Sequence, residues 1–238
     1  MKIANIIRRK KRPYCSVVIA AAGNSSRMGE DKLMLELCGV PALARTLLAF
    51  EQCDWVDEIV VVTRSEKIVD VAHLCEKYNI RKVTKILLGG ADRTASVLAG
   101  LSEINPDARL AAIHDGARPL VTDEIIRAAI HMAALHKAAA PAVKLKDTVK
   151  RVAEGKVVET PERESLVAVQ TPQVFWADLI KGALTDAVLN GRTFTDDCAA
   201  LESMGVPAYI TEGSYENLKL TTQEDIAAAE WILRRRGI

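Results

Sequence analysis

The stretch that decides the fold runs from Val17 to Leu37 and reads VVIAAAGNSSRMGEDKLMLEL. Its first residues, Val17 to Ala20, form an uninterrupted apolar run, which is typical of a strand buried on both faces of a parallel sheet. The run ends in a turn of small residues, and ligands of parallel sheets bind beyond the carboxyl ends of the strands. The sequence therefore predicts an α/β protein with a ligand-binding loop directly after this strand.

That loop combines small side chains with two cations. Ala21, Ala22 and Gly23 allow backbone N–H groups to approach a phosphate or a base edge closely. Arg27 and Lys32 add positive charge nearby. We predict a polyanion-binding loop, and from these residues alone an ordinary surface loop of an α/β protein remains the alternative.

The spacing within the loop excludes two well-known phosphate motifs. Gly23 and Gly29 are too far apart for G-x-x-x-x-G-K-[ST], and Leu33 follows Lys32 where that motif has a magnesium-binding hydroxyl. The pattern G-x-G-x-x-G is absent as well. Neither a P-loop ATPase nor a simple dinucleotide-binding domain is indicated.

Composition narrows the class of protein. With 238 residues and 49% hydrophobic residues, the chain forms one large domain or one domain with an appendage. Its 32 Lys and Arg nearly balance 31 Asp and Glu, which argues against a dedicated nucleic-acid binder. The five cysteines form no C-x-x-C pair and favour neither a disulfide framework nor a zinc site. A reducing cytoplasm is expected.

Residues 1–13 form a basic extension with a cluster of cations between Arg8 and Arg12. No long apolar run follows the cluster, so we expect neither a signal peptide nor a membrane span. A solvated, mobile extension is the expectation, and contact with RNA or a membrane surface is the alternative.

Strands and helices alternate along the rest of the chain. Apolar runs predict strands, and periodic segments between them predict helices, with strands at residues 58–63, 82–88, 110–114, 140–145, 166–170 and 207–211 and helices at residues 122–137 and 177–189. Thr63 to Glu66 has the form of a capping box at a helix start. Gly89 and Gly90 end one strand, where backbone groups can meet a ligand.

Asp115 and Arg118 follow another strand directly. If they are partly buried, these two charges need partners. The functional interpretation is that Asp115 holds a divalent metal or a ribose hydroxyl and Arg118 binds an anion. A structural salt bridge between the two is the alternative.

The segment from Lys146 to Thr160 has a different pattern. It reads as two polar, alternating strands around Glu154 and Gly155. A hairpin with so few core residues is too weak to be stable alone. We expect it to pack on a partner, most simply a second subunit.

Taken together, several segments from about Ser16 to the C-terminus resemble one family, the 2-C-methyl-D-erythritol 4-phosphate cytidylyltransferases of the non-mevalonate isoprenoid pathway. The matching segments, in consistent order, are Ala21-Ala22-Gly23 with Arg27-Met28, Gly89-Gly90 with Arg93 and Ser96 to Leu101, His114-Asp115 with Ala117-Arg118-Pro119, Asp147 to Lys150, Thr171-Pro172-Gln173, Thr195-Asp196-Asp197, and Glu216 to Thr221.

The resemblance implies a Rossmann-like nucleotidyltransferase domain over residues 14–238, with a mostly parallel sheet flanked by helices. A β-arm at about residues 141–168 would project from it, and in a homodimer each arm would complete the neighbouring active site. The implied reaction joins CTP and 2-C-methyl-D-erythritol 4-phosphate with release of pyrophosphate, using Mg²⁺ or another divalent cation. Neither nucleic acid nor a membrane is expected as a partner.

The resemblance also implies roles for individual residues. Four cations would be catalytic: Arg27, Lys32, Arg163 and Lys219. The nucleotide would contact Ala21, Ala22, Gly23, Asn24, Gly89, Gly90, Arg93, Ser96 and Asp115. The polyol phosphate would contact Asp115, Arg118, Thr148, Arg163, Thr171 and Lys219. Asp115 would also bind the metal.

Two features depart from the family pattern. Asp31-Lys32-Leu33 stands where the family usually has Pro-Lys-Gln, and the segment from Arg27 to Lys32 is shorter than in many members. The form R-M-G-x-D-K also occurs in molybdenum-cofactor guanylyltransferases. The alternatives are therefore a ribitol-5-phosphate cytidylyltransferase and, in another class, a non-catalytic nucleotide-binding regulator.

Overall fold

The computed structural model of the chain describes residues 12–23 and 32–238. Asn24, Arg27 and residues 1–11 of the predicted basic extension lie outside the described residues. The strands of the described part are β1 (Cys15–Ala20), β2 (Glu36–Leu37), β3 (Val40–Pro41), β4 (Glu58–Thr63), β5 (Val83–Leu88), β6 (Leu110–Asp115), β7 (Ala138–Lys144), β8 (Arg151–Ala153), β9 (Lys156–Glu159), β10 (Val167–Val169), β11 (Gln173–Trp176) and β12 (Tyr209–Glu212).

The helices of the described part lie mostly between consecutive strands, as the predicted alternation requires. They are α1 (Ala42–Gln52), α2 (Ile68–Lys77), α3 (Arg93–Ser102), α4 (Asp123–His136), α5 (Ala177–Leu189), α6 (Asp197–Glu202) and α7 (Gln223–Arg235). Short 3₁₀ turns cover Ser65–Lys67 and Arg163–Ser165. Among the described residues, none of these helices combines the length and apolarity that crossing a bilayer requires.

One large sheet forms the centre of the molecule. Its strand order is β5-β4-β1-β6-β11-β7, with β10 beside the end of β7 and β12 along the opposite edge of β7. β1 is parallel to β4 and β6, whereas β10 and β11 run antiparallel to β7. The predicted mostly parallel α/β sheet is confirmed.

The sheet is covered on both faces, which explains the apolar strand sequences. The residues of β4 and β6 are all buried, and separate hydrophobic clusters lie on the two faces of the sheet. From β1 the chain steps outward through β4 to β5 and then returns to the other side of β1 as β6. Such a reversal leaves a crevice at the carboxyl ends of the strands, where ligands of open α/β sheets bind.

The predicted hairpin is present as β8 and β9, which form a separate two-stranded sheet. Glu154 and Gly155 form its turn with positive φ angles of 50° and 75°. We call residues 145–166 the arm, because β7 and β10 on either side belong to the main sheet. The excursion is shorter than the predicted 141–168, since strand pairing retains residues at both ends.

Two local predictions were wrong. Residues Thr63 to Glu66 do not form a capping box, because a 3₁₀ turn without a side-chain cap precedes α2. The pattern also missed β11, a strand of only four residues that directly follows Pro172 and pairs with β6 and β7. A short apolar segment between a proline and a helix start is difficult to distinguish from a loop.

Candidate active site

A cavity of about 310 Å³ opens at the carboxyl ends of β1 and β6, in the crevice that the topology predicts. Its lining combines the small-residue turn after β1, the start of α3 and three charged side chains from elsewhere in the chain. The lining residues are Ala20, Ala21, Ala22, Gly23, Lys32, Leu33, Gly90, Ala91, Asp92, Arg93, Ser96, Asp115, Ala117 and Lys219. Most of the predicted nucleotide-contacting residues that the structure describes are thus brought together.

One wall of the cavity is formed by the start of α3 and the residues just before it. The Gly90 N–H donates to Ser96 Oγ over 3.0 Å, and Asp92 caps α3 by accepting from the Ala95 N–H over 2.8 Å. Gly89 packs behind this wall, where an added Cβ would lie 2.6 Å from the Ala22 Cβ. Side chains larger than hydrogen would therefore push the two loops apart.

The floor of the cavity carries a cluster of charges centred on Asp115. Its Oδ2 accepts from Lys219 Nζ at 3.1 Å and from Arg118 Nε at 3.4 Å. Burial alone would raise the pKa of Asp115, but Lys219, Arg93 and Arg118 lower it to about 2. The carboxylate is therefore ionised at neutral pH, and it holds two cations side by side.

A buried hydrogen-bond chain lies beneath this carboxylate. The Asp115 N–H donates to Thr171 Oγ1 over 3.1 Å, and Thr171 Oγ1 lies 3.0 Å from His114 Nδ1. His114 Nε2 lies 3.2 Å from the Arg118 carbonyl, which can only accept, so Nε2 carries the proton and Nδ1 accepts from Thr171. Burial lowers the pKa of His114 to about 4, so this histidine is neutral at pH 7.

Arg93 forms the side wall and is held from behind. Its guanidinium makes a bidentate pair with Asp197, with distances of 2.9 and 2.6 Å. Burial raises the pKa of Asp197, and the Arg93 charge opposes this shift. Gln173 Oε1 accepts from the backbone N–H groups of Asp197 and Cys198, which fixes the start of α6.

The structure places two predicted substrate contacts away from the cavity surface. Thr171 is 4% exposed and bonds to Asp115 and His114, so its observed role is to support the floor. Arg118 does not line the cavity, and it pairs with Asp115 as the structural alternative predicted. It also donates to the Asn217 carbonyl over 2.7 Å.

The two predicted contacts from the arm are not brought to this cavity within one chain. Thr148 is exposed, and Arg163 Nη1 donates to the Lys146 carbonyl over 3.1 Å in the arm itself. Neither residue lines the cavity. Their predicted contact with a neighbouring subunit stays a prediction.

Sequence reasoning missed three buried polar residues that support the site: Gln170, Asp197 as the partner of Arg93, and Asn217. Each of them is at most 7% exposed. The Asp197 and Asn217 segments were noticed as motifs, but without a role. One signal in the sequence could have identified them: polar residues in short motifs beside strand ends, because polar groups buried there require partners.

The donor set can be tested against a divalent cation. Within the described residues, no three His, Cys, Asp or Glu side chains cluster as a metal site. In the part of the chain that the structure describes, two carboxylates line the cavity, Asp92 and Asp115, and of these Asp115 lies among the cations of the floor. One carboxylate together with substrate phosphates is a common way for proteins to bind Mg²⁺, so the residues present fit a metal brought by a nucleotide.

Comparisons with known proteins show the family to which the chain belongs. A model of the family described as IspD, 2-C-methyl-D-erythritol 4-phosphate cytidylyltransferase, matches residues 15–235. The chain belongs to this family. It is therefore a nucleotidyltransferase, and its fold is that of the family.

Relatives with this name are similar over nearly their whole length. The cytidylyltransferase of Halalkalibacterium halodurans is 46% identical, over 93% of this chain and 97% of that protein. The one from Caldanaerobacter subterraneus subsp. tengcongensis is 44% identical, over 92% of this chain and 99% of that protein.

Solved structures of the IspD family have the same fold. The 4-diphosphocytidyl-2C-methyl-D-erythritol synthase of Anaerococcus prevotii superposes with a TM-score of 0.84 at 31% identity, covering 94% of this chain and 97% of its own. The 2-C-methyl-D-erythritol 4-phosphate cytidylyltransferase of Thermus thermophilus gives a TM-score of 0.74 at 27% identity, covering 92% and 98%.

Proposed function

We propose that the protein transfers the cytidylyl group of CTP to 2-C-methyl-D-erythritol 4-phosphate, giving 4-diphosphocytidyl-2-C-methyl-D-erythritol and pyrophosphate. The observation that carries the proposal is the cavity itself, in which the small-residue turn after β1 and the start of α3 meet Lys219 and Asp115. A protein that only binds a nucleotide does not need a second site for an anion. This argues against the alternative of a non-catalytic nucleotide-binding regulator.

The chemistry requires little proton transfer. The attacking group is a phosphate monoester with a second pKa near 6, so at pH 7 it is largely ionised and needs no strong general base. This agrees with a site whose one adjacent histidine, His114, is buried, neutral and fully engaged in hydrogen bonds. The phosphate oxygen attacks the α-phosphorus, and the bond from that phosphorus to the β-phosphate oxygen breaks in line.

The protein must instead bring two anions together and hold them. Lys219, held against Asp115 at 3.1 Å, would meet the polyol phosphate, while Lys32, which also lines the cavity, would hold the triphosphate. Cations fixed in advance stabilise developing charge without reorganising during the reaction. We also propose that Arg27, from the same loop as Lys32, acts on the triphosphate.

The residues that would hold a divalent cation are few. Asp115 would bind Mg²⁺ together with oxygens of the triphosphate. The ion would neutralise charge on those oxygens and favour the departure of pyrophosphate. The cytosine and ribose would lie against Ala22, Gly90 and Ser96, which line the cavity.

We propose further that the working unit is a homodimer in which the arms are exchanged. The arm carries valines exposed by 56% to 60% at Val152, Val157 and Val158. Apolar side chains in that number on a thin hairpin favour contact with a second surface. Thr148 and Arg163 would then reach the polyol phosphate of the neighbouring subunit.

The direct test is pyrophosphate release by the purified protein with Mg²⁺, crossing CTP, GTP and UTP against 2-C-methyl-D-erythritol 4-phosphate and ribitol 5-phosphate. We expect release only with CTP and methylerythritol phosphate. Release with ribitol phosphate would keep the mechanism but change the substrate. No release in any combination would support the non-catalytic regulator.

A further inference from the structure

Lys219 lies on a connection that has no regular structure of its own. Residues 213–221 join β12 to the last helix, and they contain neither strand nor helix. The Lys219 side chain forms an ion pair with Asp115, and 42% of it remains exposed to solvent. A flexible lysine on such a loop loses much side-chain entropy when it is held in one place, so something must fix the loop.

Asn217, two residues earlier, is completely buried. Its Nδ2 donates to Gln170 Oε1 over 3.2 Å and to the Thr171 carbonyl over 3.0 Å. Its own backbone carbonyl accepts from Arg118 Nη1 over 2.7 Å. One side chain and one carbonyl thus connect the Lys219 loop to the segment before β11 and to the arginine of the floor.

Gln170 fixes the orientation of this amide. Its Nε2 donates to the Ser214 carbonyl over 2.8 Å, and its Oε1 accepts from the Ser214 N–H over 3.3 Å. Because a backbone carbonyl only accepts and a backbone N–H only donates, the Gln170 amide can face Ser214 in one way only. Its Oε1 must then accept from Asn217, so the nitrogen of Asn217 has to point toward Gln170.

The backbone shape leaves no room for a larger side chain at Gly213. A Cβ at Gly213 would lie 2.7 Å from Gln170 Oε1 and 2.9 Å from the Ala142 carbonyl. On the other side of the loop, the Leu220 N–H donates to the Ala117 carbonyl over 2.8 Å. The loop is therefore fixed at Gly213, where it begins, and at Leu220, directly after Lys219.

We propose that Asn217, oriented by Gln170, is the positioning residue that places Lys219 on Asp115. Neither amide lines the cavity, so both act through Lys219 and not on substrate. The proposal rests on the proposed cytidylyl transfer, because it explains how that site is assembled. Loss of Asn217 releases the loop, and Lys219 then samples positions from which it cannot meet the phosphate.

The test is a double-mutant cycle with Asn217→Ala and Lys219→Ala, measured as kcat and KM for each substrate. In the wild-type background Asn217→Ala should lower kcat/KM for methylerythritol phosphate by about 100-fold, the scale of a displaced catalytic group. The KM for CTP should change much less. In the Lys219→Ala background the same substitution should cost only about twofold, because its target is already absent.

A purely structural role predicts a different pattern. Asn217→Ala would then lower the fraction of folded protein and change both backgrounds equally, and such additive effects would overturn the proposal. If wild type itself releases no pyrophosphate, the proposed function fails instead, so the two failures are distinguishable. Circular dichroism gives the folded fraction to which each rate is normalised.

Two further variants protect the test. If Asn217→Ala does not fold, Gln170→Leu can replace it in the test. This variant removes the amide that orients Asn217, and it should show the same non-additivity with Lys219→Ala. The matched control is Asn190→Ala, which removes an exposed amide that donates to the Asp186 carbonyl over 2.9 Å at the end of α5. It should leave both backgrounds unchanged, and a 100-fold loss there would remove the basis for assigning the effect to Asn217.

Discussion

The floor of the cavity and the arm are opposite kinds of structure. Asp115 at the floor is 8% exposed and bonds to residues from three separate segments of its own chain. Val157 in the arm is 60% exposed, and β9 forms a separate two-stranded sheet with β8. The floor is assembled within one chain, whereas the arm exposes apolar surface whose burial would require a second molecule.

Because of this difference, substitutions in the two regions should have different effects. A change at the floor should affect both stability and rate, because the described partners of Asp115 lie in the same chain. A change in the arm should leave the stability of the main domain nearly unchanged, because few of its contacts reach the core. The following predictions use this contrast.

The largest effect is expected for Lys219→Ala at the floor. Removing one preorganised cation should lower kcat by a factor of about 100 to 1,000, which is roughly 3 to 4 kcal/mol of transition-state stabilisation. Steady-state kinetics with varied methylerythritol phosphate measure it. The control is Lys77→Ala on the outer surface of α2, which should keep wild-type kinetics. A Lys219 variant with normal kcat and only a raised KM would contradict the assigned role.

His114 should make the floor sensitive to pH. Its folded pKa is lowered by burial to about 4, whereas the unfolded value is about 6.5. Between these pH values only the unfolded chain gains the proton, so the free energy of unfolding should fall as pH decreases from about 6.5 to 4. The total loss should be about 3 kcal/mol, and stability should not depend on this group above pH 7.

Chemical denaturation at pH 4.5 and pH 7.5 measures this dependence. His114→Gln should lower stability at pH 7.5 but flatten the change between the two pH values. The exposed His73 offers the control, since His73→Gln should retain the wild-type slope. Equal slopes for wild type and His114→Gln would show that His114 is not the group responsible.

The strands and the cavity also show how much of the structure the sequence could predict. The apolar runs predicted β4 and β6, because strands buried on both faces carry one continuous signal. Small residues and cations at strand ends predicted much of the cavity lining, including Lys219 through the resemblance. The links through Gln170, Asn217 and Asp197 could not be predicted, because each joins residues that only the fold brings together.

The arm gives the next prediction. If Arg163 serves the neighbouring subunit, Arg163→Ala should lower kcat/KM by about 100-fold, as expected for a lost positioning cation. Mixing this variant with inactive Lys32→Ala should restore activity. Random exchange makes half of the dimers mixed, each with one intact site, so about a quarter of the wild-type activity should return.

The mixing experiment has a clear control. Arg151→Ala changes an arm arginine that pairs with Glu159 within the hairpin, and it should remain active without mixing. Size-exclusion chromatography follows subunit exchange in each mixture. If exchange occurs and activity does not return, the arm acts within its own chain, and the proposed arm exchange is wrong.

The smallest effects are expected at two glycines, one behind the cavity wall and one in the arm. At Gly89 an alanine Cβ would lie 2.6 Å from the Ala22 Cβ and 2.9 Å from Ser96 Oγ, so Gly89→Ala should raise the KM for CTP by about tenfold, near the low end of overpacking costs. At Gly155 a Cβ would meet nothing within 4 Å, and the cost is the strain of φ +75°, about 1 kcal/mol confined to the hairpin.

Thermal unfolding and CTP titrations of both variants test this. Because the main domain does not depend on the hairpin turn, Gly155→Ala should leave its melting temperature and the KM for CTP unchanged. If Gly155→Ala lowered the melting temperature as much as Gly89→Ala, the arm would belong to the same cooperative unit as the main domain, and the contrast between the two regions would not hold.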